Sequence, residues 1–162
     1  DKESLYRSLV QPAIDGFCEL LQSVLYQFNR LSGEEQTRQM LRRSNDEFPK
    51  VVDYLYDHFD EFKLLFTSGE NNAYQEFIHR VVELDTGCTA QYIEASGNDA
   101  VSSGRLTPEL NHLLSSAFYT GMFEVVIHNM PKEQAMKHIQ KMRRFYTAGW
   151  QTIFSSDGGE DC

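Results

Sequence analysis

Glu76, His79 and Glu83 have the spacing of residues on one face of a helix. Two carboxylates and an imidazole on one face could bind a metal ion. The same face carries Arg80 and lies opposite apolar residues, so a solvated helix surface is the simpler interpretation. Ser, His and Asp are all present, but no nucleophile, base and orienting group form a recognisable set. We therefore expect no catalytic residues, no metal site and no cofactor.

A second polar series recurs every four residues within an otherwise apolar segment, at His112, Ser116, Thr120, Glu124 and His128. Four-residue steps rotate only slightly around a helix, so these side chains form one slowly winding stripe. In one interpretation the stripe is the solvated edge of its helix, with a Glu124–His128 pair. In the other, part of it faces an internal cavity or a dimer seam.

The segments that position these groups are predicted to be helical, because no stretch shows sustained period-two alternation. The predicted helices are 4–31 with a kink near 8–12, 33–57 with a bend or break near Pro49, 60–66, 73–95, 108–129 and 131–154. The connector at 96–106 is expected to be flexible. We predict an all-α fold, a compact bundle of about six helices over residues 1–154, followed by a disordered acidic tail at 155–162.

The last two predicted helices form a hairpin joined at Met130 and Pro131. The first is apolar around most of its circumference, which is typical of a helix covered from more than one side. The second carries apolar residues from Ala135 to Ile153 at alternating three- and four-residue steps, the spacing of a helix-packing seam. We expect this hairpin to close the core and also to dock on a second copy of the chain.

Composition restricts the partners and the compartment. The net charge of -9 opposes direct binding to nucleic acid. The last predicted helix carries five cations, which we interpret as a solvated face rather than a phosphate site. They are Lys132, Lys137, Lys141, Arg143 and Arg144. Three widely spaced cysteines (Cys18, Cys88 and Cys162) favour a reducing compartment, and Cys18 and Cys88 are expected to be buried. Without a signal peptide or an apolar run of about 20 residues, we expect a cytoplasmic location and no membrane.

Four segments carry a family resemblance: DKESLY at 1–6, YLYDHFDEFKLL at 54–65, FYTGMFE at 118–124 and RRFYTAGW at 143–150. They resemble the ligand-binding and dimerisation domain of tetracycline-repressor-type (TetR family) transcriptional regulators. The resemblance implies a homodimer formed through the last two helices. The family's helix-turn-helix head would precede residue 1, so contact with DNA is expected only through that missing head. The implied function is small-molecule sensing in transcription regulation, without enzymatic activity.

Two residue sets are candidates for this function. The apolar patterning predicts a pocket for an apolar or aromatic effector, and ordinary core packing is the alternative interpretation. The predicted pocket residues are Phe17, Leu21, Phe59, Phe62, Phe66, Phe77, Tyr92, Phe118, Tyr119 and Met122. The homodimer seam is predicted at Ala117, Gly121, Val125, His128, Met142, Tyr146, Gly149, Trp150 and Ile153. Ala117 and Gly121 are small enough for helices to approach closely.

Two other classes of function compete with this hypothesis. The chain could be a helical adaptor that binds another protein through the hairpin and has no pocket. It could also be a metal-dependent helical-bundle enzyme, for which stoichiometric metal in the purified protein would be required.

Overall fold

The computed structural model describes residues 1–31, 34–36, 43–69 and 72–156, and within them all regular secondary structure is helical. The helices with assigned bounds are α1 (Lys2–Asn29), α2 (Arg43–Asp57), α3 (Phe59–Thr67), α4 (Ala73–Ser96), α5 (Pro108–Ile127) and α6 (Lys132–Phe154). Residues 34–36 are helical as well. The prediction of a compact all-α fold is confirmed. None of the described helices is both long and apolar enough to cross a membrane.

The helix ends follow local capping chemistry. Thr107 Oγ1 accepts a hydrogen bond of 3.1 Å from the Leu110 amide, with Pro108 in the first turn of α5, as the sequence predicts. The same helix ends at Ile127, two residues earlier than expected, because Asn129 adopts a φ of 53°. The Met130 amide then donates to the Val125 carbonyl at 2.9 Å, which closes a Schellman-type end.

Two prolines lie inside helices without ending them. Pro12 lies within the continuous helix α1, and Pro49 lies within α2. The predicted helix over 33–57 corresponds to α2 in its second half, while 37–42 lie outside the described residues. Of the predicted disordered tail at 155–162, residues 157–162 lie outside the described residues.

The centre of the core is a cluster of phenylalanine rings supplied by four helices. Phe17 of α1 lies 5.8 Å from Phe62 of α3, 5.3 Å from Phe77 of α4 and 5.8 Å from Phe123 of α5, between ring centroids. All three contacts are edge-to-face, the arrangement that the ring quadrupole favours. This cluster fixes α1, α3, α4 and α5 around one point.

The connector between α4 and α5 differs from the flexible loop that the sequence predicts. Ala100 and Leu106 are buried. The Asn98 side-chain amide donates to the Phe154 carbonyl at 2.9 Å, and Arg105 Nε donates to the Ile153 carbonyl at 2.8 Å. These two carbonyls belong to the last turn of α6, where no amide of the helix itself is available to donate to them. The connector therefore holds the C-terminal end of α6 against the bundle.

The hairpin of α5 and α6 is attached to the bundle at its turn. Tyr56 Oη donates to the Met130 carbonyl at 2.7 Å, and Lys63 Nζ donates to the Ile127 carbonyl. Lys132 at the start of α6 pairs with Asp53 of α2 at 2.8 Å. A lysine at the C-terminal carbonyls of α5 also complements the helix dipole. The hairpin thus closes the core of its own chain, as expected.

Candidate ligand cavity

A cavity of about 230 Å³ lies between five helices at the end of the bundle near the C-terminal half of α6. The described residues of its wall from α1, α2 and α4 are Val24, Leu25, Gln27, Phe28, Glu47, Phe48, Asp85, Cys88, Thr89 and Tyr92. Those from the hairpin are Leu114, Ser115, Phe118, Tyr119, Arg143, Tyr146, Thr147, Trp150 and Phe154. A mostly apolar wall with a few converging polar groups is the usual composition of a small-molecule site.

Aromatic rings form most of the wall on the hairpin side. Phe118 of α5 and Tyr146 of α6 meet edge-to-face with centroids 5.1 Å apart. Phe154 lies 5.5 Å from Trp150 in a stacked arrangement and 4.9 Å from Tyr92 of α4. The ring contacts connect α4, α5 and α6 around the cavity, so an occupant would touch all three helices at once.

The polar part of the wall is centred on Asp85. Its Oδ1 accepts a hydrogen bond of 3.2 Å from the Tyr119 phenol, and Tyr119 is only 2% exposed. The Asp85 carboxyl group is enclosed by protein atoms, although the residue as a whole is only partly buried, and Asp85 belongs to the cavity wall. Burial raises the pKa of Asp85 above its ordinary value, and the nearby Ser115 hydroxyl and the hydrogen bond from Tyr119 oppose that rise. The carboxyl group is therefore available to an occupant.

The pKa of Tyr119 is shifted for related reasons. Burial raises the pKa of the phenol well above 10.0, and the charge of Asp85 raises it further. Tyr119 therefore stays protonated and remains a hydrogen-bond donor to the carboxyl group at neutral pH.

Two buried polar atoms near Asp85 lack good hydrogen-bond partners among the described residues, Ser115 Oγ and Asn111 Oδ1. The Ser115 hydroxyl lies near enough to the Asp85 carboxyl to favour its ionised form, but it is not aligned for a hydrogen bond. The Asn111 side-chain amide makes one long hydrogen bond of 3.4 Å to the Thr86 carbonyl. Unpaired buried polar atoms are costly, and Ser115 lines the cavity whereas Asn111 does not, so the Ser115 hydroxyl is the group that can gain from a polar occupant.

Arg143 is the cation of the described wall. Its guanidinium lies 4.2 Å from the centroid of the Phe48 ring, a cation–π contact between α6 and α2. Burial lowers the pKa of Arg143 to about 10. The sequence-based expectation that all five cations of the last helix form a solvated face is therefore wrong for Arg143, whose side chain points inward because it follows Ile139 by four residues.

The expectation of buried thiols is confirmed for Cys18, whereas Cys88 is only partly buried. Cys18 is 1% exposed, and burial raises its pKa to about 11. Cys88 lies on the cavity wall, where burial raises its pKa to about 12. Cys162 lies outside the described residues.

The predicted pocket residues divide into two groups. Tyr92, Phe118 and Tyr119 line the cavity. The remaining residues pack in the core or against it, away from the cavity wall: Phe17, Leu21, Phe59, Phe62, Phe66, Phe77 and Met122. For these residues the structure matches the alternative of ordinary core packing.

The predicted seam residues also occupy different places. Tyr146 and Trp150 line the cavity, and Val125 is a core residue. A Cβ on Gly121 would lie 3.1 Å from Met142 Cε of the same chain, so this close crossing is internal to the hairpin. The remaining seam residues are at least partly exposed and could reach a second copy: Ala117, His128, Gly149 and Ile153.

The two ends of the polar stripe of α5 are exposed in the single chain, and Ser116 and Thr120 in its middle are half-buried. His128 Nε2 lies 2.7 Å from Glu124 Oε2, and both side chains are more than half exposed. His112 is also exposed. The predicted pair is present, and the stripe lies outside the cavity wall. Its role in a dimer seam remains a prediction.

The metal-like series on α4 is a solvated surface. His79 Nε2 lies 3.1 Å from Glu83 Oε1, with both side chains exposed, and Glu76 pairs with Arg7 of α1 at 2.9 Å. That pairing lowers the pKa of Glu76. The described residues contain no cluster of three or more histidine, cysteine or acidic side chains able to hold a metal ion.

Sequence reasoning missed Asp85 and Arg143, although each leaves a signal. Asp85 interrupts the apolar series of α4 at Phe77, Val81, Cys88 and Tyr92. Arg143 interrupts the apolar series of α6 between Ile139 and Tyr146. A charged residue on the inward stripe of a helix is rarely buried without a role, so these interruptions indicate a polar cavity.

No family model, curated protein or solved structure matches this chain. The geometry of the cavity and of the hairpin therefore carries the functional assignment.

Proposed function

We propose that the chain is a small-molecule-sensing, homodimerising regulatory domain of the kind found in TetR-type transcriptional regulators. One observation carries this proposal: the aromatic cavity is bounded by both helices of the hairpin, whose outer face is the proposed dimer seam. A ligand in the cavity would contact Phe118 of α5 together with Tyr146 and Trp150 of α6. The domain acts by binding rather than by catalysis, in the cytoplasm, and DNA is contacted by a separate head in that family.

The coupling between ligand and seam follows from helix geometry. Tyr146 and Trp150 on the cavity side alternate along α6 with Phe145 and Gly149 on the outer side. A rigid helix that shifts when the cavity fills must move its outer face too. A ligand with different affinities for two hairpin positions would therefore change the arrangement of the two copies.

The outer face of the hairpin has the chemistry of a contact surface. Leu113 of α5 is 63% exposed, and Phe145 of α6 is 76% exposed. Exposed large apolar side chains on both helices of the hairpin favour an interface with another protein surface. We place the proposed seam at these two residues together with Ala117, His128 and Gly149, which are also exposed.

Occupancy of the cavity can be measured through Trp150, the single tryptophan of the chain. The probes are neopentylbenzene, benzyltrimethylammonium and 3-phenylpropanoate, which share one ring and differ in charge. At least one should change the tryptophan emission and raise the melting temperature, because it binds only the native state. Binding by none of them contradicts the sensor proposal and favours the adaptor without a pocket.

Matched variants on α6 locate the binding. Thr147 lines the cavity, whereas Thr152 is exposed on the same helix. Thr147→Phe should fill the cavity and abolish the shift in melting temperature, and Thr152→Phe should leave it unchanged. Equal responses in the two variants would mean that the probe binds elsewhere.

The homodimer is tested by sedimentation velocity at micromolar concentrations. The unchanged chain should sediment as a dimer, and Phe145→Ser should shift it to monomer because the seam loses its largest apolar contact. Tyr26→Ser is the control, since Tyr26 is 62% exposed and belongs to α1 rather than to the hairpin. A monomer at every concentration contradicts the dimer and favours the adaptor, in which the same exposed residues bind a different protein.

A further inference from the structure

The cavity combines two features that recognise positive charge. One is the Asp85 carboxyl group on its wall. The other is a set of aromatic rings on the same wall, from Phe118, Tyr119, Tyr146 and Trp150 among others. Ring faces are negative and attract cations, and the attraction grows when water is excluded.

The Asp85 carboxyl group has hydrogen-bonding capacity left. An ionised carboxylate can accept about four hydrogen bonds. Among the described residues, the bond of good geometry to this group is the 3.2 Å one from Tyr119. Ser115 Oγ beside it lacks a well-aligned partner among those residues. A positively charged group in the cavity would supply the interaction that the buried carboxylate otherwise lacks.

From this geometry we propose that the cavity binds a small organic cation, a quaternary or protonated amine carrying an aromatic or apolar group, with Asp85 as its counter-ion. The inference rests on the proposed sensing function and specifies its ligand class. The cationic head lies against Asp85 and the ring faces, while the apolar part lies toward Trp150 and Phe154.

Size and charge of the site agree with this class. A cavity of about 150 Å³ admits benzene in an engineered protein. The present cavity of about 230 Å³ therefore admits one ring with a small charged substituent. Glu47 also lies on the wall, but it already pairs with Lys50 of the same helix, so Asp85 is the carboxylate available to a cation. The net charge of -9 attracts cations to the protein as a whole.

Arg143 is the group that argues for an anion instead. Its guanidinium lies over the Phe48 ring, where the cation–π contact engages it. An anionic ligand would have to pair with Arg143 while sharing the cavity with Asp85 and Glu47. The Arg143 guanidinium is already engaged with the Phe48 ring, whereas the Asp85 carboxyl group keeps unused acceptor capacity, so the wall favours a cation.

The test measures dissociation constants of the whole chain for three probes by isothermal titration at pH 7.5. Benzyltrimethylammonium and neopentylbenzene have the same shape and differ only in a nitrogen cation replacing a carbon. We expect the cation to bind at least tenfold more tightly than neopentylbenzene and than 3-phenylpropanoate. This comparison needs no variant, so it does not depend on how a substitution affects folding.

Asp85→Asn then identifies the counter-ion. It should raise the dissociation constant for benzyltrimethylammonium at least tenfold and change that for neopentylbenzene by less than threefold. Asp60→Asn, which removes an exposed carboxylate of α3, should change neither. The proposal of a cationic ligand is overturned if the neutral or anionic probe binds as tightly as the cation or more tightly, or if Asp85→Asn has no effect. Either result leaves the sensing proposal intact. No binding by any probe overturns both.

Discussion

The Tyr119 phenol donates a hydrogen bond of 3.2 Å to the Asp85 carboxyl group. This contact joins α5 to α4 across the wall of the cavity. Tyr119 is also 5.2 Å from the Phe118 ring, which contacts Tyr146 of α6. One hydrogen bond therefore connects the buried acid to the aromatic contacts of the hairpin. The orientation of the acid and the position of the hairpin depend on the same residue.

Tyr119→Phe should lower the free energy of unfolding by about 1 to 3 kcal/mol, because the buried carboxyl group loses its donor. The ring remains, so the packing of α5 should be preserved. The measurement is urea unfolding followed by circular dichroism at pH 7. Tyr26→Phe removes a phenol that is 62% exposed and serves as the control, with no expected change. Equal stability of both variants would show that the Asp85 contact contributes nothing.

Asp85 should make stability fall as pH rises. An unperturbed aspartic acid, as in the unfolded chain, has a pKa of 3.8, and burial raises the pKa of Asp85 in the folded chain. Below pH 3.8 both states carry the proton, and above it the unfolded state loses the proton first. Ionisation therefore favours unfolding until the pH passes the raised pKa of the folded state.

Comparison with Asp85→Asn isolates this effect. The variant should gain stability relative to the unchanged chain by about 1.4 kcal/mol per pH unit across that window. Unfolding by urea at intervals from pH 4 to pH 7 measures the difference, in which all other titrations cancel. A difference that stays constant with pH would contradict the raised pKa.

Gly16 of α1 leaves the space that the Tyr54 side chain of α2 occupies. A Cβ on Gly16 would lie 2.0 Å from the hydroxyl oxygen of Tyr54, which donates to the Ala13 carbonyl at 3.1 Å. Gly16→Ala should therefore destabilise the chain by about 1 to 3 kcal/mol, since Tyr54 must leave this position. Thermal unfolding monitored by circular dichroism measures the effect.

Gly87→Ala is the matched control for Gly16→Ala, since it makes the same change within α4 where a Cβ meets nothing within 4 Å. It should stabilise by about 0.5 to 1 kcal/mol, as alanine favours helix more than glycine does. Tyr54→Phe in the Gly16→Ala background should recover part of the loss. Equal effects of the two alanine substitutions would exclude the predicted clash.

Helical periodicity predicted the elements because it reports directly which side of each helix is apolar. It located α4, α5 and α6 to within about two residues at each end. The error at the end of α5 has a local cause. Asn129 adopts a left-handed conformation that ends the helix, and asparagine is a permitted residue there that the apolar pattern does not reveal.

The cavity was less predictable because periodicity does not report the distance between helices. Phe17 and Tyr92 are both inward aromatic residues of long helices. Phe17 meets rings from α3, α4 and α5 at the point where those helices converge. Tyr92 lies three turns further along α4 than Val81, where α6 is held at its end by the connector. Which aromatic residues line a void depends on that long-range arrangement.

The connector should determine how tightly the end of the cavity is closed. Arg105 Nε donates to the Ile153 carbonyl, and Arg105 also pairs with Asp99. Arg105→Ala removes the donor, so the last turn of α6 should open more often. With a loss of about 1 to 2 kcal/mol, amide exchange at 150–154 should be about five to thirty times faster.

Hydrogen exchange followed by mass spectrometry measures that opening. Lys137→Ala is the control, because Lys137 forms an exposed pair with Glu133 at the other end of α6. Trp150 and Phe154 lie in the released turn and line the cavity. Ligand affinity should therefore fall in Arg105→Ala and stay unchanged in Lys137→Ala. If exchange at 150–154 is the same in both variants, the connector does not hold the end of α6, and closure of the cavity depends on the ring contacts alone.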